Sequence, residues 1–214
     1  MNILKHKELV WVDIESPKDS DIDYLRTNFK ISDDILEDII PPSQHSKIED
    51  SEDIFYFVVY LPVFDRRSRL SHNRELDIIL GKDFLITSHY EPILPLQDFF
   101  GQLNTVEEEK IKFFSKNSAF LLSCFLTDFL KSYFPKLDHI NEEIKEIETM
   151  IFRGKEREMV SQISNVQRNL LSFRQSLRPQ RLIFESLIIL EGKVFSNGSK
   201  KCFVGLLGIY HKVL

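Results

Sequence analysis

The fold of this 214-residue chain is decided by residues 137–177, "LDHINEEIKEIETMIFRGKEREMVSQISNVQRNLLSFRQSL". On both sides of Arg153-Gly154, apolar residues recur at alternating steps of three and four, which is the spacing of one stripe along an α-helix. The two stripes are Leu137, Ile140, Ile144, Ile147 and Ile151, and then Met159, Ile163, Val166, Leu170, Phe173 and Leu177. Because only a short turn separates them, the pattern predicts two long antiparallel helices packed stripe to stripe.

Charge is unevenly distributed along this predicted hairpin. Between residues 138 and 148 the first helix carries five acids against one lysine, whereas residues 166–181 hold four arginines and no acid. Counting from the turn places Arg168 level with Asp138, so we expect an ion pair between the two helices.

The other three arginines, Arg174, Arg178 and Arg181, lie level with a segment in which Asp128 is the only acid. We therefore expect their partners on the N-terminal domain or on a neighbouring subunit. Pro179 removes one helical hydrogen bond and predicts a kink there.

The N-terminal half has a different pattern, with short apolar runs between helical segments. Residues 9–14 predict a strand, and Ser16 followed by Pro17 predicts the start of a helix. Residues 32–40 predict a short helix capped by Ser32. Two further apolar, β-branched runs, at 53–65 and 75–90, predict strands, with a hairpin turn at residues 81–83.

These patterns predict an α/β (α+β) fold, an N-terminal αβα sandwich with a mixed sheet, followed by a long antiparallel helical hairpin. We expect an α/β sandwich domain over residues 1–103 and the hairpin over 104–190. Residues 191–214 are interpreted as a loop, including the Ser-Asn-Gly-Ser stretch at 196–199, and the start of a third helix.

Composition excludes several classes of protein. The formal net charge of −5 argues against a general nucleic-acid binder, and Cys124 and Cys202 lack metal-ligand spacing, which favours reduced thiols in a cytosolic protein. No apolar run reaches the 18 to 20 residues or so that a membrane helix needs, so the chain is expected to be soluble.

Enzymatic motifs are absent from the sequence. It contains no phosphate-binding glycine loop, no nucleophile elbow and no paired histidine ligands, and we predict that the chain is not an enzyme. The six histidines are interpreted as scattered surface or capping residues.

Carboxylates on the short helix are the remaining candidate site. Glu37 and Asp38 precede a double proline, and hard carboxylate oxygens are the ligands that Mg²⁺ prefers. The alternative is a solvated helix face without a ligand.

Five stretches in the same order along the chain resemble the cytoplasmic part of the CorA-type magnesium/cobalt transporters. They are "VWVDIESP" (10–17), "DDILEDIIPPSQHSKIEDSEDIFYFVVYLP" (33–62), "ELDIILGKDFLITSH" (75–89), "SYFPKLDHINEEIKEIE" (132–148) and "QRNLLSFRQSLRPQR" (167–181).

The resemblance implies an αβα sandwich, two antiparallel arm helices with an acidic tip, and a stalk helix that leads into the membrane. It also implies a homopentamer that conducts Mg²⁺, Co²⁺ and Ni²⁺ through two C-terminal membrane helices with a Gly-Met-Asn signature. The chain has neither those helices nor that signature, so it is interpreted as the cytoplasmic domain of a cell (inner) membrane protein, truncated early in the stalk.

The resemblance further implies a regulatory Mg²⁺ bound between neighbouring subunits. Asp38 matches one side of that bridge, with Glu37 beside it, and the other side is an aspartate early in the stalk helix. Here no Asp or Glu occurs in residues 192–214, and the nearby registers offer Leu206 or Lys212.

Other functions stay open at this point. A zinc-transporting relative shares the cytoplasmic architecture implied by the resemblance. A stand-alone interaction module with a charged hairpin belongs to another class, and nucleic-acid binding through the arginines ranks third.

Overall fold

The computed structural model describes residues 1–43, 47–51, 54–65, 70–194 and 200–214. These residues form six strands and eight helices. The strands are β1 (Asn2–His6), β2 (Leu9–Glu15), β3 (Ile48–Ser51), β4 (Ile54–Asp65), β5 (Leu70–Leu80) and β6 (Phe84–His89). The helices are α1 (Asp19–Asn28), α2 (Asp33–Asp38), α3 (Leu94–Thr105), α4 (Glu107–Phe113), α5 (Ser118–Lys131), α6 (Phe134–Phe152), α7 (Glu156–Val194) and α8 (Lys200–Val213).

All six strands join one mixed sheet in the order β1-β2-β6-β5-β4-β3. Only β2 and β6 run parallel, with Trp11 opposite Leu85, and the remaining neighbours are antiparallel. The predicted hairpin between β5 and β6 is present, with its turn at residues 81–83. Strand β1 was not predicted, because a five-residue edge strand with one buried side chain gives little alternation to detect.

Helices cover both faces of the sheet, which confirms the predicted αβα sandwich. On one face, α1 and α2 pack with strand residues such as Val12, Tyr56 and Ile86. On the other face, α3, α5, α7 and α8 share a larger core with residues such as Trp11 and Phe57. The aligned apolar alternation of the strands produces this division, since successive side chains point to opposite faces.

The start of α1 differs from the prediction. Its N-cap is Lys18, and the Asp21 carboxylate accepts a hydrogen bond from the Lys18 main-chain nitrogen at 3.0 Å. Ser16 has a positive φ of 53° and its hydroxyl donates to the carbonyl of Tyr90, so it closes a loop to the end of β6 instead of capping a helix. Helix α2 begins after Ser32 as predicted, although the Ser32 side chain makes no capping bond.

The antiparallel hairpin of α6 and α7 is present, and Gly154 takes the positive φ of 77° that its turn requires. The stripes are less buried than their spacing predicted: Ile147, Met159 and Val166 are buried, whereas Ile163 and Leu170 are 42% and 39% exposed. Two helices bury only the side chains that face each other directly, so the edges of each stripe stay open. The result is an apolar groove of about 410 Å³ between the two helices.

Polar contacts attach α7 to the sheet. The Asn169 side chain accepts a hydrogen bond from the main-chain nitrogen of Ser71, and the Ser172 hydroxyl donates to the Ser71 carbonyl at 3.0 Å. Ser176 bonds the side chain of Asn73 one turn further on. The middle of the long helix is therefore fixed to β5, while the segment before Asn169 packs with α6.

The predicted partners of the arginines were wrong for two of them. Arg168 donates to Asn165 on its own helix, and the described residues contain no ion pair between Arg168 and Asp138. Arg181 pairs with Glu185 at 2.8 Å, again within α7. Partners three or four residues apart on one helix meet without any cross-helix alignment, which explains why local pairs form first.

The described helices contain no segment long and apolar enough to cross a membrane. The loop predicted at residues 196–199 lies outside the described residues, and the division at 103 and 190 stays a prediction.

Candidate functional site

Helix α2 places the two predicted metal contacts in different surroundings. Asp38 is the last residue of α2 and is partly buried, whereas Glu37 is exposed to solvent. Neighbouring residues on a helix point about 100° apart, so the two carboxylates do not converge through their own helix. The structure does not bring Glu37 and Asp38 together into one cluster.

Instead, Asp38 meets two residues that follow it in sequence. The Lys47 ammonium lies 2.5 Å from Asp38 Oδ2 and 2.7 Å from Glu49 Oε1. The three side chains are between 36% and 38% exposed, so solvent and ions reach them. The Asp38–Lys47–Glu49 cluster is the candidate site described below.

Lys47 is held mainly by its two acids. Its hydrogen bond to Asp38, and then the one to Glu49, raise the pKa of the ammonium above its usual value. Its Nζ also lies 5.9 Å from the ring centroid of Tyr56, within the range of a cation–π contact. The lysine therefore stays charged over the whole physiological pH range.

Three tyrosines, two in β4 and one directly after β6, fix the segment that follows α2. The Tyr90 hydroxyl donates to the carbonyl of Ile39 at 3.0 Å, and the Tyr60 hydroxyl bonds the carbonyl of Ser43. The hydroxyl of Tyr56 lies 3.4 Å from the carbonyl of Asp38. Tertiary contacts thus set the position of Asp38, because a six-residue helix is too short to do so alone.

Beneath this segment lies a buried acid, Asp77. Burial raises the pKa of Asp77 to about 7, while a 2.7 Å hydrogen bond donated by Tyr56 acts in the opposite direction. Within the described part of the chain its second oxygen, Oδ2, has no hydrogen-bond partner, which favours the protonated form in an apolar setting. Asp77 touches Tyr56, which in turn approaches the main chain of Asp38.

A second buried polar chain crosses the opposite face of the sheet. The Trp11 indole donates to Thr87, whose hydroxyl bonds Asp13 at 2.7 Å. His89 is fully buried beside them, with Nε2 3.6 Å from Asp13. This corrects the sequence interpretation, in which every histidine was a surface or capping residue.

The candidate site fits a weakly held divalent cation. Mg²⁺ commonly uses one or two protein carboxylates and keeps several waters, and Asp38 and Glu49 provide two accessible carboxylates. Among the described residues no group of three histidine, cysteine or acidic side chains could hold a metal ion.

Sequence reasoning missed Lys47 and Glu49. Both lie in "KIED" (47–50), whose Lys47 follows Asp38 of "LEDI" (36–39) by nine residues, and these two motifs carry part of the family resemblance. The spacing itself gives no sign that an intervening loop folds back and brings Lys47 onto Asp38.

A mixed sheet between two helical layers, extended by an antiparallel helical arm, defines the soluble-domain fold of a class of metal-ion transporters. The soluble domain of CorA from Methanocaldococcus jannaschii has this fold, with a TM-score of 0.74 and 22% identity over 96% of this chain and 80% of that one. The cytoplasmic domain of ZntB from Vibrio parahaemolyticus is similar at a TM-score of 0.68, with 14% identity over 98% of this chain and 83% of that chain.

Sequence similarity identifies the family more specifically than the fold does. The family described as CorA-like Mg²⁺ transporter protein matches residues 6–201, and this chain belongs to that family. The cobalt/magnesium transport protein CorA of M. jannaschii is 25% identical over 207 residues, which are 96% of this chain and 62% of the relative. That of Thermotoga maritima is 25% identical over 158 residues, 72% of this chain and 43% of the relative. The chain thus spans less than two thirds of the length of these relatives.

Proposed function

We propose that this chain is the cytoplasmic, metal-sensing part of a CorA-type channel for Mg²⁺ and Co²⁺. The family match over residues 6–201 is the observation that carries the proposal. The named relatives are cobalt/magnesium transport proteins, and the same cations, together with Ni²⁺, are the proposed substrates here. The chain acts by binding and changing shape, not by catalysis.

Asp38 is the proposed regulatory Mg²⁺ contact, with Glu37 as a second contributor. Asp38 presents a partly exposed carboxylate at a position that three tyrosines fix, which supports a pre-positioned ligand. The rest of the shell comes from water and from the neighbouring subunit of a homopentamer. Occupied sites would hold subunits together and favour a closed pore, whereas loss of Mg²⁺ would loosen the contact.

Thermal unfolding of the chain with increasing MgCl₂ tests this sensor at constant ionic strength. A ligand that binds only the folded state adds about 2.7 kcal/mol at 100 times its Kd, so Tm should rise with MgCl₂. Asp38→Asn should remove most of the rise and Glu37→Gln a smaller part. The matched control is Asp138→Asn, an exposed acid on α6, which should respond like the wild type.

Either of two results would refute the sensor. The first is a wild-type Tm that is independent of MgCl₂ up to tens of millimolar. The second is an equal rise in wild type and Asp38→Asn, which would place the bound ion elsewhere.

Zinc transport is the second candidate, and the similarity to the ZntB cytoplasmic domain supports it. Zn²⁺ prefers nitrogen and sulfur ligands, whereas the candidate site offers carboxylate oxygens, so we rank Mg²⁺ first. Comparing uptake of Mg²⁺, Co²⁺ and Zn²⁺ by cells that express a full-length version would decide between the two.

A further inference from the structure

The position that a cation would occupy at Asp38 already holds a positive charge from the chain itself. Lys47 contacts both Asp38 and Glu49, and it is the only base paired with either acid in the described part of the chain. Asp77, which accepts a hydrogen bond from the Tyr56 hydroxyl, is buried and does not reach the surface cluster.

We propose that the Lys47 ammonium competes with a divalent cation for the Asp38 carboxylate, and that Glu49 supplies the second carboxylate of the same cation-binding site. This inference rests on the proposed function, because it concerns how the Asp38 site is regulated. Mg²⁺ binds when the ammonium leaves, and the lysine returns when the ion dissociates.

The distances permit this exchange. Both oxygens contact one nitrogen, so they lie no more than roughly 5 Å apart, whereas an ion with 2.0–2.1 Å bonds needs its two ligands within about 4 Å. A shift of about 1 Å in two partly exposed side chains closes that gap. A larger ion such as Ca²⁺, with longer bonds, needs almost no shift.

Lys47 is able to leave because its side chain is long, flexible and 38% exposed. Two ion pairs at this exposure are weak, so water and a divalent ion compete for the same oxygens. The lysine therefore lowers the affinity of this site for Mg²⁺ without blocking it. The site is then occupied only when the Mg²⁺ concentration is high.

Isothermal titration calorimetry with MgCl₂ tests the inference on the intact chain, together with the water-proton relaxation of bound Mn²⁺. Lys47→Met removes the charge and keeps the apolar stem, and it should bind Mg²⁺ about three- to ten-fold more tightly than wild type, since a positive charge about 5 Å from the ion is gone. Lys47→Gln is the second variant in case the first does not fold. Adding Glu49→Gln to either variant should cancel most of the gain.

The matched control is Lys155→Met. Lys155 is also a partly exposed lysine paired with an acid, Glu158, but it lies at the tip of the hairpin. Its removal should leave Mg²⁺ affinity unchanged, which separates a local effect from a change in net charge.

The outcomes distinguish the inference from the proposed sensor. If wild type binds through Asp38 but the Lys47 variants bind no more tightly, the inference fails and the sensor stands. If only the Lys47 variants bind, the inference stands and the sensor fails for this chain. If neither wild type nor the variants bind, both fail.

Discussion

The sheet domain and the tip of the helical hairpin both carry regularly spaced apolar side chains, yet they bury these side chains to very different degrees. Trp11 is fully buried and touches the rings of Phe99, Phe100 and Phe125. At the tip, Phe152 is 91% exposed, and only Ile147, Met159 and Val166 are buried. A periodic apolar pattern thus indicates which face of an element packs, whereas the number of layers around that face decides how deeply it is buried.

Trp11→Ala should give the largest loss of stability and tests the deeply buried core of the sheet domain. Removing a large buried aromatic side chain costs about 3–5 kcal/mol, because the surrounding rings cannot close the cavity. The free energy of unfolding from urea titration should fall by that amount. A loss below about 1 kcal/mol would show that the sheet core is not rigidly packed.

The buried acid makes the sheet domain sensitive to pH. The pKa of Asp77 is about 7 in the folded protein against an ordinary value of 3.8, so between these values the folded state holds a proton that the unfolded state has lost. This contribution is fully present below about pH 4 and is lost as pH rises through 7. Asp77→Asn should therefore gain stability relative to wild type by roughly 2–4 kcal/mol between pH 4 and 7.5.

Urea titrations at several pH values measure this difference. Glu75→Gln is the control, since Glu75 is a neighbouring, less buried acid whose removal should change the pH dependence less. A constant difference between Asp77→Asn and wild type across this range would mean that Asp77 ionises normally in the folded protein.

Ile147→Ala tests the thinner packing between the two helices of the hairpin. Two helices relax around a deletion more easily than a layered core, so we expect a loss of about 1–2 kcal/mol, near or below the low end for buried isoleucine. Amide hydrogen exchange should speed up in α6 and the first half of α7 and leave the sheet unchanged. Ile163→Ala, at a 42% exposed position, is the control and should cost less. Equal acceleration in the sheet would show that hairpin and sheet unfold as one unit.

Surface ion pairs should give the smallest effect in both regions. Arg26 contacts Asp23 and Asp33 in the sandwich, and Arg181 contacts Glu185 on α7, all at exposed positions. Arg26→Gln and Arg181→Gln should each leave the free energy of unfolding almost unchanged, and 0.5 M NaCl should reduce any difference from wild type further. A clear loss of stability in either variant would show that the arginine makes a stabilising contact besides these ion pairs.

The hairpin and strands β2, β4, β5 and β6 could be predicted from periodicity because spacing reports which residues share a face, whereas the short edge strands β1 and β3 could not. The position of Lys18 as the N-cap of α1 could not be predicted, because Ser16 and Pro17 are the stronger local signal for a helix start. Only the hydrogen bond from Ser16 to the distant Tyr90 shows that Ser16 does not cap the helix. For the candidate site, resemblance identified Asp38, but its pairing with Lys47 depends on tertiary contacts. No local pattern encodes such contacts, and the roles of Asp38 and Glu37 stay predictions.

The attachment of α7 to β5 gives the molecule a mechanical property. The helix has 39 residues, so it is about 58 Å long, and roughly 20 Å of it extends from the anchor at Asn169 to its start at Glu156. A rotation of about 5° at the anchor displaces the far end by nearly 2 Å, which makes the helix a lever whose fulcrum is a row of serine and asparagine side chains. A small rearrangement of the sheet at this anchor would therefore move the start of α7 through a larger distance.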